Sequence, residues 1–164
     1  MKTLLLIFGA LFLFSISIYS QQISKEKEPL NNSFGIGIGV PYGIIGGNID
    51  LNIISNINGS FGLGTTYFSG ASYNVGLKLF FTNALQVFRP RAFIFYGINS
   101  VDKYERTDDN NSYSGLSFGL GSQFLWHKTK WGFDFDVVYI ATSTKGKIDP
   151  KNSIKISVGF RRGF

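Results

Sequence analysis

The chain can draw acid–base chemistry from one histidine, ten Asp and Glu residues and sixteen Lys and Arg residues. His127 is alone, so no multi-histidine metal centre can form. With no cysteine there is no thiolate metal site, no disulfide framework and no lipoprotein anchor. The run Asp108-Asp109-Asn110-Asn111-Ser112 sets oxygen atoms at alternate positions, as calcium loops do. Tyr113 stands where such a loop needs its turn glycine and Gly119 where it needs the closing glutamate, so the run reads as a hydrated loop tip. Gly35, Gly37 and Gly39 suggest a phosphate-cradling loop, but they alternate strictly and neither a helix nor a Gly-Lys-Ser/Thr triplet follows. None of these patterns implies a metal or a cofactor.

What must position the remaining charges is a chain of 164 residues, one domain's worth. Only 16% of its residues are charged against roughly 25% in soluble domains, and it holds 17 Phe and 20 Gly. Phe prefers strands and Gly weakens helices, so the composition points to β-structure. Net charge is +6, but the basic residues are scattered. A solvated, headgroup-facing surface fits that better than a nucleic-acid partner.

Met1-Lys2-Thr3, the apolar stretch Leu4 to Ile18 and the small residue Ser20 follow the order of a secretory signal peptide. The apolar run is shorter than the roughly 20 residues of a membrane helix, so residues 1–20 are expected to be removed, leaving Gln21 first. Residues 21–32 are polar and read as a periplasmic N-terminal lead. Residues 33–164 form the folded domain.

From Ser33 the period is two almost throughout, which predicts strands with two unlike faces. Phe34, Ile36, Ile38 and Val40 oppose glycines. Ile49, Leu51 and Ile53 oppose Asn48, Asp50 and Asn52. Phe61, Leu63 and Tyr67 oppose Gly62, Gly64 and Thr66, and Tyr73, Val75, Leu77 and Leu79 oppose Asn74, Gly76 and Lys78. A fifth strand over Pro90–Asn99 is apolar on both faces, with Ala92, Ile94 and Tyr96 read as outward and Arg91, Phe93 and Phe95 as inward. Leu116, Phe118, Leu120 and Phe124 oppose Ser117, Gly119, Gly121 and Gln123. Trp131 to Tyr139 sets aromatic and aliphatic residues against Gly132, Asp134 and Asp136. Ile154, Ile156, Val158 and Phe160 oppose Lys155, Ser157, Gly159 and Arg161.

The second face is too small and too sparsely charged for a solvent-exposed shell, but it suits the crowded interior of a narrow barrel. The apolar face, with aromatic residues near strand ends, suits lipid. A closed antiparallel transmembrane β-barrel of about eight strands follows, since an open edge would leave backbone groups unpaired in hydrocarbon. Short periplasmic turns are expected at Ser55–Gly59, Thr82–Val87 and Trp126–Lys130, which makes His127 a turn residue. The outer connections are expected at Pro41–Gly46, Ser69–Ser72, Ser100–Tyr113 and Ala141–Ser153, the last two being long.

Over Ser33–Phe164 the chain resembles the small OmpA/OmpX-like outer-membrane barrels of Gram-negative bacteria. Phe164, Phe160, Val158 and Ile156 on one face are similar to the C-terminal strand that the barrel-assembly machinery recognises, and Arg162 departs from the apolar residue usual two before the last. The resemblance implies the cell outer membrane as location and carries little about activity. Lipid-modifying barrels of this class use a His with Ser and an acidic partner near the outer leaflet. His127 falls at the other end, so no enzyme is expected. Lys145, Lys147 and Lys151 lie at the level of lipopolysaccharide phosphates, which they could contact as point charges.

The expected role is structural or interactive: a barrel that presents the loops around Asp102–Asn111 and Lys145–Lys151, or docks onto a larger envelope complex. A small pore or transporter is the alternative. Inward charges bear on that choice. Asp50, Asp134 and Asp136 are expected to meet Lys78, Arg91, Lys155 and Arg161 in the lumen, with Asp136 diagonal to Lys155 and Asp134 diagonal to Arg161.

Overall fold

The computed structural model describes residues 31–66, 70–102, 111–141 and 154–164. Eight strands run through them: β1 (Ser33–Gly39), β2 (Ile44–Ile54), β3 (Ile57–Thr65), β4 (Ala71–Phe80), β5 (Phe88–Asp102), β6 (Asn111–Leu125), β7 (Trp131–Ile140) and β8 (Ile154–Gly163). Each pairs antiparallel with its chain neighbours and β8 closes on β1, giving an all-β closed barrel. The rim bearing the turns at residues 55–56, 81–87 and 126–130 is called the lower rim below.

Closure is staggered. A path across the strands from Leu51 runs through Gly59, Leu77, Ile94, Phe118 and Tyr139 to Ile154. By the β1–β2 register Leu51 faces position 32, and by the β1–β8 register Ile154 faces position 42, so the sheet slips ten residues on closing. Such a stagger tilts strands by roughly 35–45° and leaves an interior that side chains can fill.

The wall has the two faces that the alternation predicts. Ile36, Leu63, Val75, Leu77, Ile94, Leu120, Val137 and Ile156 point outward and are exposed, whereas Asn48, Asp50, Ser60, Lys78, Arg91, Asp134 and Arg161 point inward and are buried. The apolar core inside is small: Val40, Phe93, Phe95 and Val138 touch one another in the upper lumen. β5 keeps the expected orientation of Arg91 to Tyr96 but is longer than expected, from Phe88 to Asp102, with a bulge between Ile98 and Ser100. β6 correspondingly starts at Asn111, so Asn111 and Ser112 pair with Asp102 and Val101 instead of forming a loop tip. Residues 108–110 and Tyr67 lie outside the described residues. The first lower turn is tighter than expected, since β3 begins at Ile57 and leaves only Ser55 and Asn56.

The first upper connection folds inward. Gly39, at φ 122°, ends β1, and Val40–Tyr42 then form a single 3-10 turn inside the barrel. Gly43, at φ 64°, returns the chain to β2 and donates its N–H to the Val40 carbonyl at 3.1 Å. Both angles suit glycine, which pays no Cβ penalty there. Val40, expected outward with Phe34 and Ile38, is therefore buried, because the reversal at Gly39 breaks the alternation before it. The inward glycines are the seat of this strap. A Cβ at Gly37 or Gly159 would overlap the Tyr42 ring, and one at Gly62 or Gly64 would overlap the Pro41 to Gly43 backbone.

That fit makes a contrast between two glycines testable. Gly62→Ala forces a methyl against the Pro41 carbonyl and is expected to destabilise the barrel by about 1–3 kcal/mol. Gly47→Ala, whose Cβ would meet only the Gly35 carbonyl at 3.5 Å, should stay within about 0.5 kcal/mol of the parent in denaturant unfolding. Equal losses at the two sites would contradict the seating of the strap.

Candidate functional site: an ion chain in the lumen

Period-two alternation turns Asp50 of β2, Lys78 of β4, Arg91 of β5, Asp134 and Asp136 of β7 and Arg161 of β8 inward, and the staggered register brings them together across the lower lumen. They form an alternating chain. Lys78 Nζ lies 2.8 Å from each carboxylate oxygen of Asp50. Arg161 Nη1 reaches Asp50 Oδ2 at 2.5 Å, and its Nε reaches Asp134 Oδ2 at 2.6 Å. Arg91 Nη2 lies 3.0 Å from Asp134 Oδ2 and 2.9 Å from Asp136 Oδ2, with a further bond from Arg91 Nε to Asp136 Oδ1 at 3.1 Å. Every one of these side chains is 0% exposed.

Neutral polar groups complete the coordination. Asp50 Oδ1 accepts from Ser60 Oγ at 2.6 Å and from Asn48 Nδ2 at 3.1 Å. Arg161 donates to Ser33 Oγ at 2.7 Å and to Asn48 Oδ1. Tyr42 Oη donates to Asp134 Oδ2 at 2.6 Å, so the strap is tied to the ion chain at a carboxylate oxygen shared with Arg161 and Arg91. Three cations and three anions balance. Burial of this many charges is tolerated only with such pairing, since a lone buried ion costs several kcal/mol.

Lys155 does not join them. It was expected beside Asp136, and the register does set it diagonal: Asp136 faces Ser157, and Lys155 faces Val138. Asp136 instead turns to Arg91. The two strands carrying them are separated only by β6, whose residue at that level is Gly121, a position with no side chain to intervene. Lys155 lies nearer the upper rim and is exposed, where its ammonium keeps its hydration.

Two lumenal groups were missed from the sequence. Arg89 is buried at the foot of the lumen, its guanidinium 3.9 Å from the centroid of the Phe80 ring and its Nη1 3.5 Å from Gln123 Oε1. Extending the period of two backward from Arg91 would have found it. Tyr42 was hidden in a connection read as an outer turn, and only the glycines facing it hinted at an inserted ring. Phe160 and Phe164 point outward, 70% and 52% exposed. Lys145, Lys147 and Lys151 lie outside the described residues, as do residues 1–30. His127 joins two lower turns through a 3.0 Å contact between its Nε2 and the Ala84 carbonyl oxygen.

The ion chain is bounded above and below by apolar side chains. Above the ion chain lie Val40, Phe93, Phe95 and Val138, and below it Phe80 and Leu125, all buried. No group of three or more potential metal ligands occurs among the described residues. Double-mutant cycles should reveal the pairing. Asp136 and Arg91 are expected to couple by well over 0.5 kcal/mol in unfolding experiments, whereas Asp136 and Lys155 should be additive within about 0.3–0.5 kcal/mol. Lys78→Met alone, which strips Asp50 of one counterion, should cost about 3–5 kcal/mol. No protein-family model, curated sequence or solved structure matches this chain.

Proposed function

We propose that the protein is a transmembrane barrel of the Gram-negative outer membrane with a structural or interaction role, presenting its outer loops or docking onto a larger envelope complex. The observation that carries this reading is the inversion of the wall: its large apolar side chains face out while six ion-paired charges are sealed inside. A water-soluble barrel of this size would leave an apolar surface far beyond the few hundred Å² that monomers usually expose. Aromatic side chains near both rims support it. Tyr73, Tyr96 and Tyr139 lie toward the upper end, and Phe81, Trp126, Trp131 and Phe164 toward the lower, as in the girdles of membrane barrels.

In this reading the first 20 residues direct export and are removed, residues 21–32 stay in the periplasm, and the assembly machinery engages β8 through Phe160 and Phe164. Lys145, Lys147 and Lys151 meet lipopolysaccharide phosphates. The protein is not an enzyme and takes no nucleic-acid partner. The competing reading, a small pore or transporter, is weakened by the strap inserted into the lumen and the ion chain that crosses it.

Four measurements test this. Protein purified from membranes should begin at Gln21 or Gln22 by N-terminal mapping. Folded into phospholipid vesicles it should migrate differently on a denaturing gel before and after boiling, and Leu77→Arg should cost about 2–4 kcal/mol there while Asn74→Lys costs less. A Leu77→Arg variant that folds as well as the parent would reverse the faces. In planar bilayers no unitary conductance is expected, and steady channels would favour the pore.

A further inference from the structure

Arg162 is the one charged side chain at an outward strand position among residues whose side chains are described. It lies between Phe34 of β1 and Trp131 of β7, its guanidinium 5.5 Å from the centroid of the Trp131 ring. The row immediately above it is Ile36, Phe160 and Phe133, and the next is Ile38, Val158 and Phe135. These six side chains line an apolar groove of about 590 Å³ on the outer wall, floored by the paired backbones of Gly37 and Gly159. That volume is within the roughly 300–1,000 Å³ of ligand pockets. Arg162 thus stands one residue row below an apolar groove, toward the lower rim, with Phe34 and Trp131 as its cross-strand neighbours.

We propose that this seam of β7, β8 and β1 is a binding site for one anionic glycerophospholipid of the periplasmic leaflet, with its phosphate on Arg162 and an acyl chain in the groove above. The inference rests on the membrane reading given under Proposed function. A guanidinium donates two parallel N–H groups to phosphate oxygens, and this one stands where headgroups begin. Lys130, exposed in the adjoining turn and bound through its carbonyl to the Gly163 N–H at 2.8 Å, adds a second positive charge nearby. An anionic headgroup is thereby favoured over a zwitterionic one. The site also accounts for the departure of residue 162 from the apolar residue that the strand pattern calls for.

Trp131 is a built-in reporter. In a Trp126→Phe background, so that Trp131 is the single tryptophan, the protein is folded into vesicles that contain bromine-labelled phosphatidylglycerol or bromine-labelled phosphatidylcholine. Phosphatidylglycerol should occupy the quenching site about fivefold in preference to phosphatidylcholine, the scale of one basic group near an anionic lipid. Arg162→Gln should cut the preference to at most the share that Lys130 alone confers, Arg162→Lys should keep most of it, and Ile38→Phe, which fills the groove, should weaken quenching by both lipids. Equal quenching by the two lipids in the parent, or an undiminished preference in Arg162→Gln, overturns the site while leaving the membrane reading in place. Absence of quenching by either lipid overturns the membrane reading itself.

Discussion

The carboxylate of Asp134 is where the interior is held together. One of its oxygens accepts from Arg161 and Tyr42 and is ion-paired with Arg91, so β5, β7, β8 and the inserted strap converge on a single atom. Arg161 then carries the chain on to Asp50 and Lys78. In a lumen of low polarisability each charge relies on the next, and the net neutrality of the six makes their burial affordable. A cluster of this kind also opposes register slips. Moving one strand by a single residue would send its charged side chain to the apolar outer face and leave its partner buried alone.

The strap and the glycines form the second constraint, and each explains the other. An eight-stranded barrel with bulky residues at every inward position would have no room for a connection inside it. Glycines at positions 35, 37, 62, 64 and 159 clear that room along one side of the lumen, and Tyr42 fills it. On the opposite side Phe93 and Phe95 occupy the space left by Gly119 and Gly76. Large inward residues facing cross-strand glycines are thus the packing rule of this interior, which reaches close packing with few apolar side chains. Polar contacts therefore run across the lumen as well as along its wall.

The outer wall is less uniform than its apolar composition suggests. Phe88, Phe124, Phe133 and Trp126 pack ring on ring over β5 to β7, at centroid separations of 4.6 to 5.9 Å. The seam of β7, β8 and β1, which shares Phe133 with that stack, combines aliphatic and aromatic side chains around a groove one residue row above Arg162. The lipid site proposed above rests on that difference.

Much of this was legible in residue order alone. Strict alternation determined strands, strand number and which side chains share a face, because the pleat has a period of two regardless of context. It also placed Asp50, Lys78, Arg91, Asp134, Asp136 and Arg161 on the inward face, and the spacing in the last hairpin set Asp134 diagonal to Arg161. Partner choice was a tertiary matter. Asp136 had Lys155 as a diagonal neighbour in the hairpin, yet it took Arg91 from two strands away, since closure and the missing side chain of Gly121 opened the shorter path across the lumen. The inward fold of Val40–Tyr42 was likewise beyond a local pattern. A run of Gly, Pro and an aromatic residue reads as a turn in either direction, and only the glycine-lined cavity made by β1, β3 and β8 decides that it turns in.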